Sequence, residues 1–250
     1  MRTPINPFYK ASTLSPVAGV DHFQYAKLPQ APQNTSPVPH LTSLYHFSQA
    51  GDYGSRRYPG NCGGRLIKDL IAFFDAKSVF DPMTGSGTCR DVCRELNVTC
   101  VSGDIHQGFD VCEPSEFFGD SARFAKQSFD FVWIHPPYWR QKLYANDPRD
   151  LSRAPTLDDF LERYALALAH CGQVLKPGGV LAVLMGDYHD REGFIPLVYH
   201  TKRLAFDAGL KQQGTDIIRF LHGTSSAKKV YQSSFIPTLH DVCMLFKKPR

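Results

Sequence analysis

Residues 78–93 read SVFDPMTGSGTCRDVC, and the succession of residue types in this stretch decides the fold. An apolar run, SVF, stops at an acid and a proline, a glycine-broken loop follows, and CRDVCREL then places its apolar residues at helical spacing. A strand that passes through a glycine turn into a helix is the first half of a βαβ unit. Residues 98–105, VTCVSGDI, supply the second strand.

Working outward, RLIKDLIAFF at 65–74 carries a helical period before the first strand. A weaker element falls at 111–125. FDFVWI at 129–134 is almost uninterrupted by polar residues, as a central parallel strand covered on both faces should be. DDFLERYALALAHCGQVL at 158–175 has the strongest helical pattern, with Gly178 and Gly179 of LKPGG as stop signals. VLAVLMGD at 180–187 reads as another buried strand and 195–210 as an amphipathic helix. TDIIRFLH at 215–222 and HDVCMLFKK at 240–248 form an edge pair. The alternation predicts an α/β fold with a doubly wound, mostly parallel sheet and an antiparallel C-terminal hairpin.

The 250 residues, 42% of them hydrophobic, suffice for one sizeable core. Residues 1–45 are rich in Pro, Ser, Thr and Gln without a sustained period, and read as an irregular arm; 46–250 read as a single domain. A net charge of +4 permits a nucleic-acid partner without demanding one. The seven cysteines form no CxxC pair and no evident Cys/His metal spacing, and no apolar run is long enough to span a membrane. A reduced, cytoplasmic protein with no resident metal and no membrane partner is expected. Cys89 and Cys93, at i,i+4 spacing, read as small side chains packing on one helix face.

The glycine loop is neither GxxxxGK[ST] nor a full GxGxxG, and Asp81 at the strand end would repel phosphate. An acid there suits a ligand with a positive end, such as the amino group of a methionine moiety. Asp104 ends the second strand where a carboxylate can take two ribose hydroxyls. Asp120 or the Ser121 backbone could meet an adenine edge. Each also has a plainer reading: Asp81 as a turn residue, Asp104 as a helix cap, Asp120 as a surface carboxylate. Residues 129–139, FDFVWIHPPYW, end their strand in two prolines that cannot continue a ladder, so a stiff turn stands at the strand's carboxyl end, where open α/β sheets bind ligands.

FDPMTGSGT resembles the first motif of S-adenosylmethionine-dependent methyltransferases acting on exocyclic amino groups of DNA bases. IHPPYW resembles their catalytic tetrapeptide, usually Asp, Asn or Ser followed by Pro-Pro-Tyr or Pro-Pro-Phe, and RYPGNCGGRLIKDLI at 57–71 resembles the segment packed beside the cofactor's methionine end. The resemblance covers roughly residues 58–248. It implies a Rossmann-like methyltransferase domain with S-adenosylmethionine as cofactor, contacted by Tyr58, Gly60, Asn61, Asp81, Pro82, Thr84, Gly85, Gly87, Thr88, Asp104, Ile105, Asp120 and Ser121. His135, Pro136, Pro137 and Tyr138 take the catalytic positions. His135 departs from the family pattern: a histidine accepts a hydrogen bond only when neutral, which predicts loss of activity near its reference pKa of about 6.5 if unshifted.

In that arrangement a ring nitrogen of His135 and the Pro136 carbonyl grip the two hydrogens of the target amine, and Tyr138, with Trp139, offers ring faces to a base removed from the duplex. Basic and aromatic residues in 139–157 (Trp139, Arg140, Lys142, Tyr144, Arg149) and Lys228 and Lys229 in 221–236 read as small DNA-contacting insertions, with salt bridges to Asp147 and Asp150 as the plainer reading. The chain has no uncommitted stretch the size of a large target-recognition region. The reading is therefore an adenine-N6 or cytosine-N4 DNA methyltransferase with short recognition or help from a second subunit, as in a homodimer, and with room for a cognate restriction enzyme. An RNA guanine-N2 methyltransferase and a catalytically retired nucleic-acid-binding relative stand as alternatives.

Overall fold

The computed structural model describes residues 9–11, 29, 32–46, 51–118, 124, 126–220, 229–231, 236 and 238–250, with 9–11 and 229–231 described in backbone only. Eight strands form the central layer and four helices cover it. In chain order they are β1 (Leu44–His46), α1 (Arg65–Phe73), β2 (Ser78–Asp81), α2 (Thr88–Glu95), β3 (Thr99–Ser102), β4 (Phe129–Ile134), α3 (Leu157–Val174), β5 (Leu175–Met185), α4 (Leu197–Asp207), β6 (Lys211–Gln212), β7 (Ile217–Phe220) and β8 (Asp241–Lys247).

The sheet order is β1-β7-β8-β5-β4-β2-β3, with β6 added to one end of β8. β3, β2, β4 and β5 are mutually parallel. β8 runs antiparallel to β5 and to β7, so the expected C-terminal hairpin is present, but its second strand lies inside the sheet rather than at the edge. The edge belongs to β1, parallel to β7, from the end of the stretch read as an irregular arm. Tyr45 explains this: its ring is 2% exposed and its hydroxyl donates to Asp69 at 2.6 Å, anchoring the segment to α1. Farther back, Tyr9–Ala11 pairs antiparallel with Lys229–Tyr231.

Side chains alternate along each strand, so each buried strand feeds two cores. Val79, Phe131, Trp133, Val180, Ala182 and Leu184 pack beneath α1 and α2 through Leu66, Leu70 and Val92. Phe80, Val132, Ile134, Leu181, Val183 and Met185 face α3 and α4 through Phe160, Leu168 and Leu204. This is the double winding read from the alternation of elements. α3 begins with a capping box, the Thr156 hydroxyl and Asp159 carboxylate each satisfying the other's backbone N–H.

Two expectations are refined. The weaker element at 111–125 is, among the described residues, only a short 3₁₀ turn at Pro114–Glu116, and the segment packs Phe117 and Phe124 against Phe80 and Phe109. α3 ends at Val174, ahead of the expected stop signals, and the next strand begins before the expected residue 180. The strand starts at Leu175, and the pairing jumps from Phe129–Leu175 to Phe131–Val180, so the proline and glycines form a bulge inside β5.

One buried ion pair ties the hairpin together. Arg219 on β7 and Asp241 on β8 are register partners and form a two-pronged bond, while a third guanidinium N–H donates to the Cys62 carbonyl at 3.0 Å. Asp241→Ala leaves a 6%-exposed guanidinium unpaired and is expected to cost about 3–5 kcal/mol in chemical denaturation. Asp52→Ala, which removes an exposed Arg56 pair, is expected to leave the denaturation midpoint unmoved.

Candidate active site

β2 lies between β3 and β4, and the chain leaves it toward β3 on one side and reaches β4 on the other. The carboxyl ends of these strands therefore part around a crevice, the usual ligand position in an open parallel sheet. A cleft of about 830 Å³, counting its open mouth, occupies it.

The glycine loop forms one wall. Gly85 has φ +50°, and a Cβ there would stand 2.6 Å from the Tyr58 ring, so only glycine lets the tyrosine close down on the loop. Gly87, at φ +84°, caps α2 and does not line the cleft. Asn61 Oδ1 accepts from the Thr88 hydroxyl at 3.2 Å and from Gly63 N–H at 2.7 Å, stitching the preceding segment to the first turn of α2. Tyr58, Gly60, Asn61, Pro82, Thr84, Thr88 and Ile105 all line the cleft.

Both strand-end acids do as well. Asp81 is 2% exposed; burial pushes its carboxyl up to about 8, against the pull of the Met83 N–H that donates to Oδ1 at 3.1 Å. Asp104 takes its plainer reading, a cap, and lines the cleft as well. It caps a 3₁₀ turn by accepting His106 N–H at 3.0 Å, and it accepts Gly85 N–H at 2.8 Å, so it fixes the glycine loop while lining the cleft. Asp120, Ser121 and Lys228 lie outside the described residues, as does the side chain of Lys229.

The HPPY turn closes the far end. His135 and Pro137 line the cleft; Pro136 is buried behind them. His135 Nε2 is 3.3 Å from the Tyr138 hydroxyl. Its imidazole is pushed down to about 4, chiefly by burial and then by the positive charge of Arg219, with Asp241 and a hydrogen bond to the Gly60 backbone acting in the opposite sense. The ring is thus neutral throughout the physiological range, and the acid limb expected near the ordinary imidazole value shifts toward 4. The Tyr138 ring lies against Gly186, where a Cβ would approach it to 2.8 Å.

The flanking residues divide. Trp139 is no stacking face: it is 1% exposed, its indole N–H donates to the Ala154 carbonyl at 2.9 Å, and the packing holds it at φ +44°, an unfavourable conformation for a bulky residue. Arg140 is likewise engaged, lying 4.1 Å over the Trp139 ring and bonding Asp190 at 2.8 Å and Glu192 at 2.5 Å. Arg149 lines the cleft while paired with Asp147 at 2.8 Å. Lys142 is exposed and outside the cleft lining. Tyr144 does line it, 6.1 Å from Tyr58 between ring centres.

Asp150 carries more than sequence suggested. At 2% exposure its carboxylate meets no arginine side chain among the described residues, Arg163 reaching only its backbone carbonyl; the carboxylate accepts from Ala145 N–H, Ser152 N–H and the Ser152 hydroxyl at 2.7–2.9 Å and so knots the loop that presents Tyr144. Phe109 and Asp110 also line the cleft. Their segment, GFDV, shows no motif of its own.

No family model matches the chain, and no curated protein matches it. Among solved structures it is similar to a Thermus thermophilus protein proposed to be a DNA modification methylase, complexed with S-adenosyl-L-methionine, at 21% identity and TM-score 0.40, over 56% of this chain and 54% of that one. It is also similar to a SAM-dependent methyltransferase from Archaeoglobus fulgidus, at 14% identity and TM-score 0.45, over 73% and 93%. A third is the Burkholderia thailandensis 1,6-didemethyltoxoflavin-N1-methyltransferase with bound S-adenosylhomocysteine, at 14% identity and TM-score 0.44, over 74% and 78%. The chain spans about half the length of the Thermus protein.

The Asp81 carboxyl gives a test free of any ligand. Because its folded value lies above its unfolded one, the folded state holds an extra proton between about pH 4 and 8, and the stability this confers is lost as pH rises through that window. Asp81→Asn is therefore expected to stabilise the ligand-free protein above pH 8, on the order of a few kcal/mol, with the gain shrinking toward pH 4. Thermal melting of both proteins across that range checks it.

Proposed function

We propose that this chain transfers a methyl group from S-adenosylmethionine to the exocyclic amino group of a DNA base, adenine N6 or cytosine N4. One observation carries the reading: the glycine loop, two strand-end acids and a neutral His135 of an HPPY turn all line one crevice at the carboxyl ends of the parallel strands.

The cleft's donor set fits that cofactor. Asp81 suits the ammonium end of the methionine moiety, Asp104 the ribose, and the Tyr58–Tyr144 pair lies over the loop beside them. When bound, the cofactor would supply an electrophilic methyl carbon. A cation beside Asp81 would draw off its proton, so affinity is expected to rise with pH up to about 8. Calorimetry in buffers of different ionisation enthalpy reads that proton release directly.

An aromatic amine is a weak nucleophile because its lone pair is delocalised into the ring. A neutral imidazole nitrogen and the stiffly aimed Pro136 carbonyl would accept its two N–H groups and localise that lone pair. Burial and Arg219 keep His135 in the accepting state without the carboxylate or amide usual at this position. The Tyr138 hydroxyl stands where an incoming amine would donate to Nε2, so it would have to yield to the substrate while its ring stacks on the base.

The decisive experiment is transfer of labelled methyl to duplex DNA, single-stranded DNA and transfer RNA in parallel, with nucleoside identification by mass. Label on DNA is expected, abolished by His135→Ala and Tyr138→Ala and kept within a few-fold by Tyr138→Phe. Label on RNA alone would replace the substrate class, and none despite cofactor uptake would overturn catalysis. With cofactor saturating at every pH, so that the Asp81 dependence of affinity drops out, the rate should stay flat as pH falls through 6.5 and decline only toward 4; a half-maximal point near 6.5 would contradict a neutral His135.

A further inference from the structure

Behind the glycine loop, three cysteines converge that no spacing rule groups. Cys89 and Cys93 lie one turn apart on α2 and are 1% and 0% exposed; Cys100 reaches them from β3 and is half-buried. Their three sulfurs lie within 4.8 Å of one another. A cation held at about 2.3 Å from each sulfur needs those sulfurs roughly 4 Å apart, so sub-ångström adjustments of side chains would close the site. We propose that Cys89, Cys93 and Cys100 form a three-thiolate site for a soft divalent d¹⁰ cation of the zinc and cadmium type, with a fourth position open toward solvent on the Cys100 side.

Three features favour a ligand over mere packing. The sulfurs meet from two different elements, a helix and a strand, which gives the site a fixed frame rather than one flexible face. The donors are all sulfur, which selects soft cations over magnesium or calcium. Charge also closes: a divalent ion on three thiolates leaves one negative charge, and the Arg90 guanidinium acts on Cys100 in the compensating sense.

Cys89 also lines the cleft, but the cluster is read by metal binding alone, so its test needs no substrate. Reduced protein is titrated anaerobically with cadmium, and the sulfur-to-cadmium ultraviolet charge-transfer band is followed, with zinc as competitor. Saturation at one cadmium per chain is expected. Cys93→Ser and Cys100→Ser should each weaken binding at least about tenfold, while Cys112→Ser, remote from the cluster, leaves it unchanged. Zinc should raise the melting temperature of the wild type and not that of Cys100→Ser; the half-buried position of Cys100 lets that variant fold, which its metal-free melting curve verifies. A band that never saturates, or one that survives Cys100→Ser, overturns the proposal.

Discussion

The parallel ladder in which β2 pairs with β3 on one side and β4 on the other governs the rest of the molecule. Neighbouring parallel strands end on the same side, and a reversal of winding direction leaves their carboxyl ends uncovered by crossover helices. Asp81, Asp104 and His135 end or follow those three strands and share a cleft for that reason, although 54 residues separate the first from the last. Each is placed by the end of its own strand and needs no long loop to reach the site.

A second constraint acts from the opposite flank. The buried Arg219–Asp241 pair joins β7 to β8, and its remaining N–H holds the Cys62 carbonyl of a segment that lines the cleft. Its charge also helps keep the His135 ring neutral. Taking such a pair out of water gains little net stability. Its value here lies in position: one guanidinium links the C-terminal hairpin, the cleft-lining segment at Cys62 and the protonation state of the HPPY turn.

The cleft also gives up stability that a fold selected for stability alone would keep. Asp81 sits in a setting that disfavours its charge, and Trp139 is held at a positive φ directly after the HPPY turn. Strain and desolvation of this kind cluster where a ligand or a reacting group is to be met. The counterweights are local: the Trp139 indole bond to Ala154, the Asp150 knot behind Tyr144, and the Arg140 clamp on Asp190 and Glu192.

Sequence alone determined the alternating α/β order, the double winding, the glycine loop and the HPPY turn, because each rests on local periodicity or on the fixed backbone demands of glycine and proline. It also indicated Asp81 and Asp104, since a residue at a strand's carboxyl end has its place given by the strand. What packing decides was not legible. Trp139 and Arg140 looked like exposed substrate contacts, yet one is core and the other is bonded to acids fifty residues away. β1 has too few residues to show a period, and Asp150 gains its part only through backbone N–H groups that a loop brings round. The Arg219 pair and the Cys89–Cys93–Cys100 cluster each unite residues from separate elements. Tertiary structure alone sets such meetings, because contact across a sheet depends on register and winding, which no local pattern encodes.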